Sequence, residues 1–372
     1  MKFLYKKIER FIPAIAFFGG FTWDSITLGS LVQSSDLLIL FCYYFIAFIF
    51  LIFISAKIDD TAFGKEKYQN AFFSTLSIGR HRILSKSISE KWKDRLTYAL
   101  QFCFGSLYSA LVVFYFKSSG TAGAFVLVFL LLILLVSNEF LKKNYASFGF
   151  SLALFSLLGT MFLNFLIPHI VGSISFFWFL ISVLLSLFIS FIAFRLSHHS
   201  KKNFITPVLV SVFLILAYLA NWIPPVPLVP KEEMPCVRFY KNYSCFISKP
   251  DVFMRTSLKD RIVYLENDDS GVYFLSSVFA PEKISVQLEH RWFLKNPETG
   301  DFELKSVITS ERMQTNGSRK EGFRIYSRKK NVPYGKWKVE TAIHDGKVIS
   351  SKTFDVKQAD KNAPERILWK MN

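Results

Sequence analysis

Cysteine, histidine and acidic side chains are scarce in this chain. Its 372 residues hold 4 Cys, 6 His and 28 Asp+Glu. The cysteines do not cluster with histidine, so no metal centre is expected. No C-x-x-C redox pair and no cofactor signature is present. G-x-S-x-G, H-E-x-x-H and carboxylate pairs framed by glycines are also missing. Those are the local marks of common hydrolases. Internal repeats are absent. These gaps favour a non-enzymatic role without a cofactor.

What is abundant is apolar and aromatic. The chain is 51% hydrophobic and 17% aromatic, with 42 Phe. Up to about residue 223 the sequence is a series of Phe/Leu/Ile runs. Beyond it the composition becomes mixed, charged and rich in turn residues. Such a shift divides the chain into a membrane part and a soluble part.

The net charge is +17. Residues 1–223 carry 19 Lys+Arg against 9 Asp+Glu, and residues 224–372 carry 26 against 19. No basic helix or nucleic-acid motif accompanies the excess, so it does not point to nucleic acid.

A membrane span needs ~20 predominantly apolar residues. Seven stretches qualify, at about 11–29, 37–55, 97–116, 122–140, 147–167, 173–194 and 204–223. The basic N-terminus lacks a small-residue cleavage site, so it reads as part of the fold and not as a signal peptide. Lys and Arg concentrate at the N-terminus and in the loops after spans two, four and six. The alternate loops hold almost none, Lys117 excepted. By the positive-inside rule the N-terminus is cytoplasmic and the C-terminal part lies outside, in a bacterial inner membrane. Within the long inner loop, residues 70–84 alternate apolar and basic positions. They read either as an amphipathic surface helix or as a solvated linker.

Residues 224–235 (PPVPLVPKEEMP) read as a stiff connector. The following stretch, 236–271, contains Cys236 and Cys245. In an oxidising compartment these two form the plausible bridge, since Cys42 and Cys103 sit in spans. Residues 358–372 read as a tail.

From Gly271 the pattern has period two. Ile284, Val286, Leu288, His290 and Trp292 share one face, and Ser285, Gln287, Glu289 and Arg291 the other. Trp337, Val339, Thr341 and Ile343 alternate with Lys336, Lys338 and Glu340. Shorter runs occur near 272–280, 302–310, 323–328 and 347–356. Turn signals separate them, and six or more such strands predict an antiparallel, immunoglobulin-like β-sandwich. The expected fold is thus a seven-helix membrane bundle followed by an all-β domain.

The motifs H-R-W (290–292), G-F-R-I-Y-S-R-K (322–329), G-K-W-K-V (335–339) and D-G-K-V…F-D-V (345–356) resemble the bacterial family of domain of unknown function 2914, over about residues 272–357. Trp292, Phe323, Trp337 and Phe354 resemble its core positions. Gly322, Arg324, Ser327, Lys329 and Lys336 resemble its polar ones. The resemblance implies a compact β-domain, often attached to a membrane region, and no activity.

Three candidate sites follow. The first is a cationic, aromatic strip of Arg324, Tyr326, Arg328, Lys329, Lys330, Lys336 and Lys338. If the strands near 323 and 336 are neighbours, these line one face suited to an anionic envelope ligand or a periplasmic protein. The plain alternative is a solvated face with lysines guarding an edge. The second is Asp24 with His169. Asp24 lies about 20 Å along its span at 1.5 Å per residue, on the outer side, where His169 also falls. They pair in an outward vestibule, or Asp24 merely ends a short helix. The third is His290, which is a hydrogen-bonded core residue unless a catalytic partner meets it. The expected function is binding or scaffolding by the outer domain. The alternative is a transporter or membrane enzyme for a lipid-linked substrate, working through Asp24 and His169.

Overall fold

The computed structural model describes residues 21–22, 26, 28, 32–55, 90–138, 145, 147–197, 201–240, 242–248, 261–266, 271–315, 322–344, 346–360 and 363–371. Six long helices occupy the N-terminal part of these. They are α1 (Ser34–Ile54), α2 (Glu90–Ser118), α3 (Ala122–Asn138), α4 (Phe148–Val171), α5 (Phe176–Leu196) and α6 (Ile205–Leu219). They cover the second to seventh expected spans. The first span and the loop helix at 70–84 lie largely or wholly outside the described residues. Helices α1, α2, α4 and α5, and α6 taken together with the turn before it (Lys201–Leu219), are long and apolar enough to cross a membrane, and α3 is a shorter apolar helix.

Local signals set the ends. Gln33 and Asp36 form a reciprocal capping box at the start of α1, with the Gln33 N–H donating to Asp36 Oδ2 at 3.0 Å. The Ser175 hydroxyl accepts from the Trp178 N–H at the start of α5. Gly172 ends α4 in the left-handed region at φ 78°, a conformation that side chains with a Cβ resist.

Helix α4 is the hub, with 78% of its apolar window buried against 28–39% for α1, α5 and α6. It packs against α1, α2, α5 and α6. Aromatic stacks fasten it, such as Tyr44 on Phe155 at 4.4 Å. On α5, Ser182, Ser186, Ser190 and Ala193 are buried. Their small size lets α5 approach α4 closely enough for the Ser186 hydroxyl to reach the Ser156 carbonyl at 2.9 Å. The outer helix faces are apolar too. All but six of the exposed large apolar side chains among the described residues lie in the helical part.

The C-terminal part is all β. Among the described residues, eleven strands form three sheets. The five-stranded sheet runs β4 (Arg261–Leu265), β10 (Val348–Gln358), β9 (Gly335–Ile343), β6 (Gln287–Lys295), β7 (Phe302–Gln314). A three-stranded sheet runs β1 (Val229–Cys236), β5 (Val272–Phe279), β8 (Phe323–Lys329). A smaller one runs β11 (Arg366–Lys370), β3 (Ser244–Ser248), β2 (Phe239–Tyr240). Pairing is antiparallel except between β4 and β10.

Alternation explains the layering. Phe274 and Val278 of β5, with Phe323 and Ile325 of β8, face Leu288, Trp292, Trp337, Val339 and Phe354 of the five-stranded sheet. On the opposite face of the three-stranded sheet, Met234, Cys236 and Leu275 meet Cys245, Ile247 and Met371. The predicted inward set Ile284, Val286, Leu288, His290 and Trp292 is buried, as are Trp337, Val339, Thr341 and Ile343.

The expected boundaries shift. The second half of the connector 224–235 is strand β1, paired along β5. The lead-in 236–271 and the tail 358–372 are not appendages either. They supply β2, β3 and β11, which cover the second apolar face of β5, and β4, which extends the five-stranded sheet beside β10.

The β region seats on one end of the helices. The Ser351 N–H donates to the Gly120 carbonyl and the Ser285 N–H to the Gly172 carbonyl. A Cβ at Gly120 would stand 2.4 Å from the Ile349 carbonyl, so this approach requires glycine. The carboxyl ends of α2, α4 and α6 therefore share one end of the bundle. The basic segment between α5 and α6 lies at the other.

Candidate functional site

The expected strip divides between two sheets. β8 pairs with β5, whereas β9 lies between β6 and β10 in the opposing sheet. The strands carrying the strip are thus not neighbours. Each sequence shows alternation, but which sheet a strand joins is a long-range choice.

On β8, strand periodicity sends Arg324, Tyr326 and Arg328 to one face and Phe323, Ile325, Ser327 and Lys329 to the other. The first face receives the β2–β3 hairpin. Phe239 stands 4.3 Å from the Tyr326 ring, 5.8 Å from Tyr273 and 5.9 Å from Tyr243. The Arg324 guanidinium lies 5.8 Å from the Tyr243 ring and Arg328 lies 5.4 Å from Tyr273, within cation–π range. A ladder of cations and rings results, with Tyr326 39% exposed and Tyr240 47% exposed. Phe239, Tyr243 and Tyr273 were not among the expected residues. Their signal was present as FYKNY beside Cys236 and Cys245, but nothing local ties that stretch to β8.

The Cys236–Cys245 disulfide makes the tie. It forms as the spacing implied, with Cα atoms 6.1 Å apart. It links β1 to β3 and so holds the hairpin over the three-stranded sheet. The Met371 N–H also donates to the Tyr243 carbonyl.

The remaining lysines lie elsewhere. Lys329 turns toward the five-stranded sheet, donating to Ser306 Oγ at 3.0 Å, 5.6 Å from the Trp337 ring. Burial lowers its pKa. Lys336 and Lys338 flank the buried Trp337, on the outer face of that sheet. Lys338 pairs with Glu340 at 2.8 Å and sits 4.3 Å from the Phe293 ring. Lys330 is exposed beyond β8.

His290 is a structural bridge. Its Nε2 lies 2.8 Å from Ser276 Oγ and its Nδ1 2.7 Å from Ser327 Oγ, which also accepts from the Trp292 indole at 3.0 Å. These bonds join the two facing sheets inside an apolar core. Burial pulls the imidazole down to about 3, which keeps it neutral. Glu233 of β1 accepts from the Thr341 hydroxyl at 2.9 Å and the Ser350 hydroxyl at 2.5 Å. Burial raises its pKa. Glu289, on the face opposite Trp292, is buried beneath Arg291 at 2.6 Å and His344 at 2.8 Å.

In the helical part, His169 Nε2 lies 3.0 Å from Ser34 Oγ. Asp24, its expected partner, lies outside the described residues. Lys117, the exception to the charge alternation, donates to the Leu28 carbonyl. Counting ionisable groups missed the buried amides. Gln101 Nε2 donates to the Asn138 carbonyl at 2.7 Å, and Asn138 Nδ2 to the Gln101 carbonyl at 3.3 Å. The Tyr145 hydroxyl donates to Asn138 Oδ1. Asn164 Nδ2 donates to the Tyr115 hydroxyl at 2.9 Å. Gln101 and Tyr115 fall on one face of α2, a periodicity visible in the sequence once amides and phenols are counted.

At the junction, Lys347 Nζ donates to the carbonyls of Tyr218 and Ile223 at 2.6 and 2.8 Å and stands 3.6 Å from the Tyr218 ring. It thus occupies the carboxyl end of α6, where a cation is favoured. Burial draws its ammonium down to about 7. Among the described residues, no group of three or more His, Cys, Asp or Glu is placed to hold a metal ion.

No curated protein matches the chain. Among solved structures it is similar to the Pseudomonas fluorescens alkylpurine DNA glycosylase AlkC bound to DNA containing an abasic site analog. The identity is 10%, over 73% of this chain and 83% of that one, with a TM-score of 0.21. So low a TM-score carries no argument about fold or function. Residues 286–356, from Val286 through β10 to Val356, match the model of the family described as protein of unknown function (DUF2914). The C-terminal β region of this chain therefore carries a DUF2914 domain.

Proposed function

We propose that the chain is a multi-pass protein of a bacterial inner membrane. Its N-terminus is cytoplasmic, seven helices span the bilayer, and an immunoglobulin-like β-domain stands outside. Its role is to bind an anionic ligand or partner of the envelope, without catalysis, and the helices anchor that contact. The apolar outer faces of the helices support the membrane placement. Loops poor in Lys and Arg sit at the end that receives the β region, in keeping with the orientation.

One observation carries the binding role. Arg324, Tyr326 and Arg328 share a face with Phe239, Tyr243 and Tyr273, and a disulfide fixes that face. Guanidinium edges suit carboxylate or phosphate, and aromatic faces suit rings or apolar edges. The test uses full-length protein in detergent, incubated with envelope extract. The reading expects captured anionic material that is lost from a variant combining Arg324→Ala, Tyr326→Ala and Arg328→Ala. Capture of none, or equal capture by the variant, defeats it.

The alternative is transport, or chemistry on a lipid-linked substrate, through Asp24 and His169. It expects Asp24→Asn to abolish function at normal membrane insertion. The Ser34 contact gives His169 a partner within the helical part, which favours the binding reading.

A further inference from the structure

The β9–β10 hairpin ties the β region to two helix ends. At its tip, half-buried Lys347 donates to the carbonyls of Tyr218 and Ile223 at 2.6 and 2.8 Å, at the carboxyl end of α6. Ser351, four residues on, donates its N–H to the Gly120 carbonyl, just beyond α2. The Tyr218 ring carries the contact further, because it stacks on Phe179 of α5 at 4.2 Å.

Two carboxyl groups hold the base of the hairpin, one on each face. On the inner face, Glu233 accepts from Thr341 of β9 and Ser350 of β10, which stand opposite each other. On the outer face, buried Glu289 meets His344 Nδ1 at 2.8 Å and Arg291 Nε at 2.6 Å. Arg291 in turn donates to the Gly346 carbonyl at 3.0 Å. The Ile343 N–H donates to the Lys347 carbonyl and the Gly346 N–H to the Ile343 carbonyl, which closes the turn. A continuous chain of polar contacts therefore runs from Glu289 to α6.

Lys347 is the weak link of that chain. Among the described residues no carboxylate pairs with it; its ammonium meets two carbonyls and the Tyr218 ring, 3.6 Å away. A neutral amine keeps two N–H groups, enough for both carbonyls. The extra proton adds the ring contact but leaves a charge out of water with no counter-ion. Leu219 to Ile223 carry no charge, nor does the amino end of α3, which meets Asn221 at Gly123. The ionisable neighbours in the hairpin's own support are His344, Arg291 and Glu289, and these engage one another. Asp345 lies outside the described residues. Burial lowers the amine from 10.5 to about 7. Between these values the docked tip binds fewer protons than an undocked one. Docking thus strengthens as pH rises across that window and is weakest below it.

We infer that the β9–β10 hairpin is a proton-responsive clamp between the β region and the helices. Loss of the Lys347 proton tightens its hold on the carboxyl end of α6, and gain of that proton loosens it. The clamp does not depend on the binding role or on any ligand.

Hydrogen exchange on the full chain in neutral-lipid nanodiscs tests it. The reporters are the amides of Ala220, Asn221 and Trp222, whose bonds to the carbonyls of Leu216, Tyr218 and Ala217 close the end of α6. Their protection, corrected for the intrinsic amide rate, should rise at least tenfold between pH 7 and pH 9, with β5 and β6 unchanged. Lys347→Met and Lys347→Arg should each flatten that rise, since neither side chain loses a proton in this range. The arginine variant keeps donors at the site, so it serves where the methionine variant fails to fold. Glu289→Gln, which touches no helix, should lower protection of the same amides at both pH values. A flat wild-type profile, a rise kept in both Lys347 variants, or an equal rise in β5 and β6 overturns the clamp. Unchanged protection in Glu289→Gln also overturns it, because the hairpin would then be held without its outer carboxyl.

Discussion

The helical part and the β part bury polar groups in different ways. Between the helices, the hydrogen-bonded interior groups are neutral: Gln101 with Asn138, Asn164 with Tyr115, Ser186 with a backbone carbonyl. In the β part the interior includes an imidazole bridging two sheets, the Glu233 carboxyl and a Glu289–Arg291–His344 cluster. The outer surfaces differ as well, apolar on the helices and polar on the strands. The membrane placement proposed above would account for both contrasts: helices in lipid satisfy their own backbone and gain little from buried charge, whereas a domain in water can fold around paired ionisable groups.

That contrast breaks first at His290. Its folded pKa of about 3 lies below the unfolded 6.5, so between these values the folded state binds fewer protons. The stability it contributes is complete above about pH 6.5 and is lost as pH falls toward 3. At about 1.4 kcal/mol per unit the loss is at most about 5 kcal/mol. Glu233, raised by burial, has the opposite sign and favours the fold at low pH. The difference between wild type and His290→Gln isolates the histidine. Denaturant unfolding followed by tryptophan fluorescence should show an acid-dependent loss that His290→Gln flattens, with the helical circular-dichroism signal unchanged.

Next comes the disulfide. Replacing Cys236 and Cys245 with serine should destabilise the β part by about 2–3 kcal/mol, from the entropy of a short loop. Hydrogen exchange over residues 236–248 should quicken more than over β6 and β9. A smaller effect belongs to the border between the regions. Lys347→Met removes the donor to the end of α6 and should cost about 1–2 kcal/mol. Exchange at residues 217–223 should rise, and Lys347→Arg should recover part of it. The smallest effect is inside the bundle. Asn164→Leu should cost only about 0.6 kcal/mol, as for hydrogen bonds between membrane helices, measured by unfolding in mixed micelles.

Much of the architecture was legible. Helix positions followed from apolar run length, and β5 to β10 followed from period-two alternation, down to the inward set around Trp292. The DUF2914 motifs coincide with those strands. The site was less legible, because it depends on contacts far apart in sequence. Nothing near Arg324 states that Tyr243 will stand beside it, and nothing near Lys336 states that β9 will join the opposing sheet. The burial of Glu289 was not legible, because alternation assigns a sheet face but not the Arg291 and His344 side chains folded over it. Pro-rich residues 224–235 suggested a spacer, yet proline is tolerated in the edge strand β1, which pairs along β5.

The central claim is that the β part and the segment between α5 and α6 lie on opposite sides of a bilayer. Single cysteines at Glu298 and Lys202, both exposed, test it in chains with Cys42 and Cys103 replaced by alanine. A membrane-impermeant maleimide applied to intact cells should label Glu298→Cys at once and Lys202→Cys only after lysis. Labelling of Lys202→Cys in intact cells, or protection of Glu298→Cys until lysis, would contradict the account.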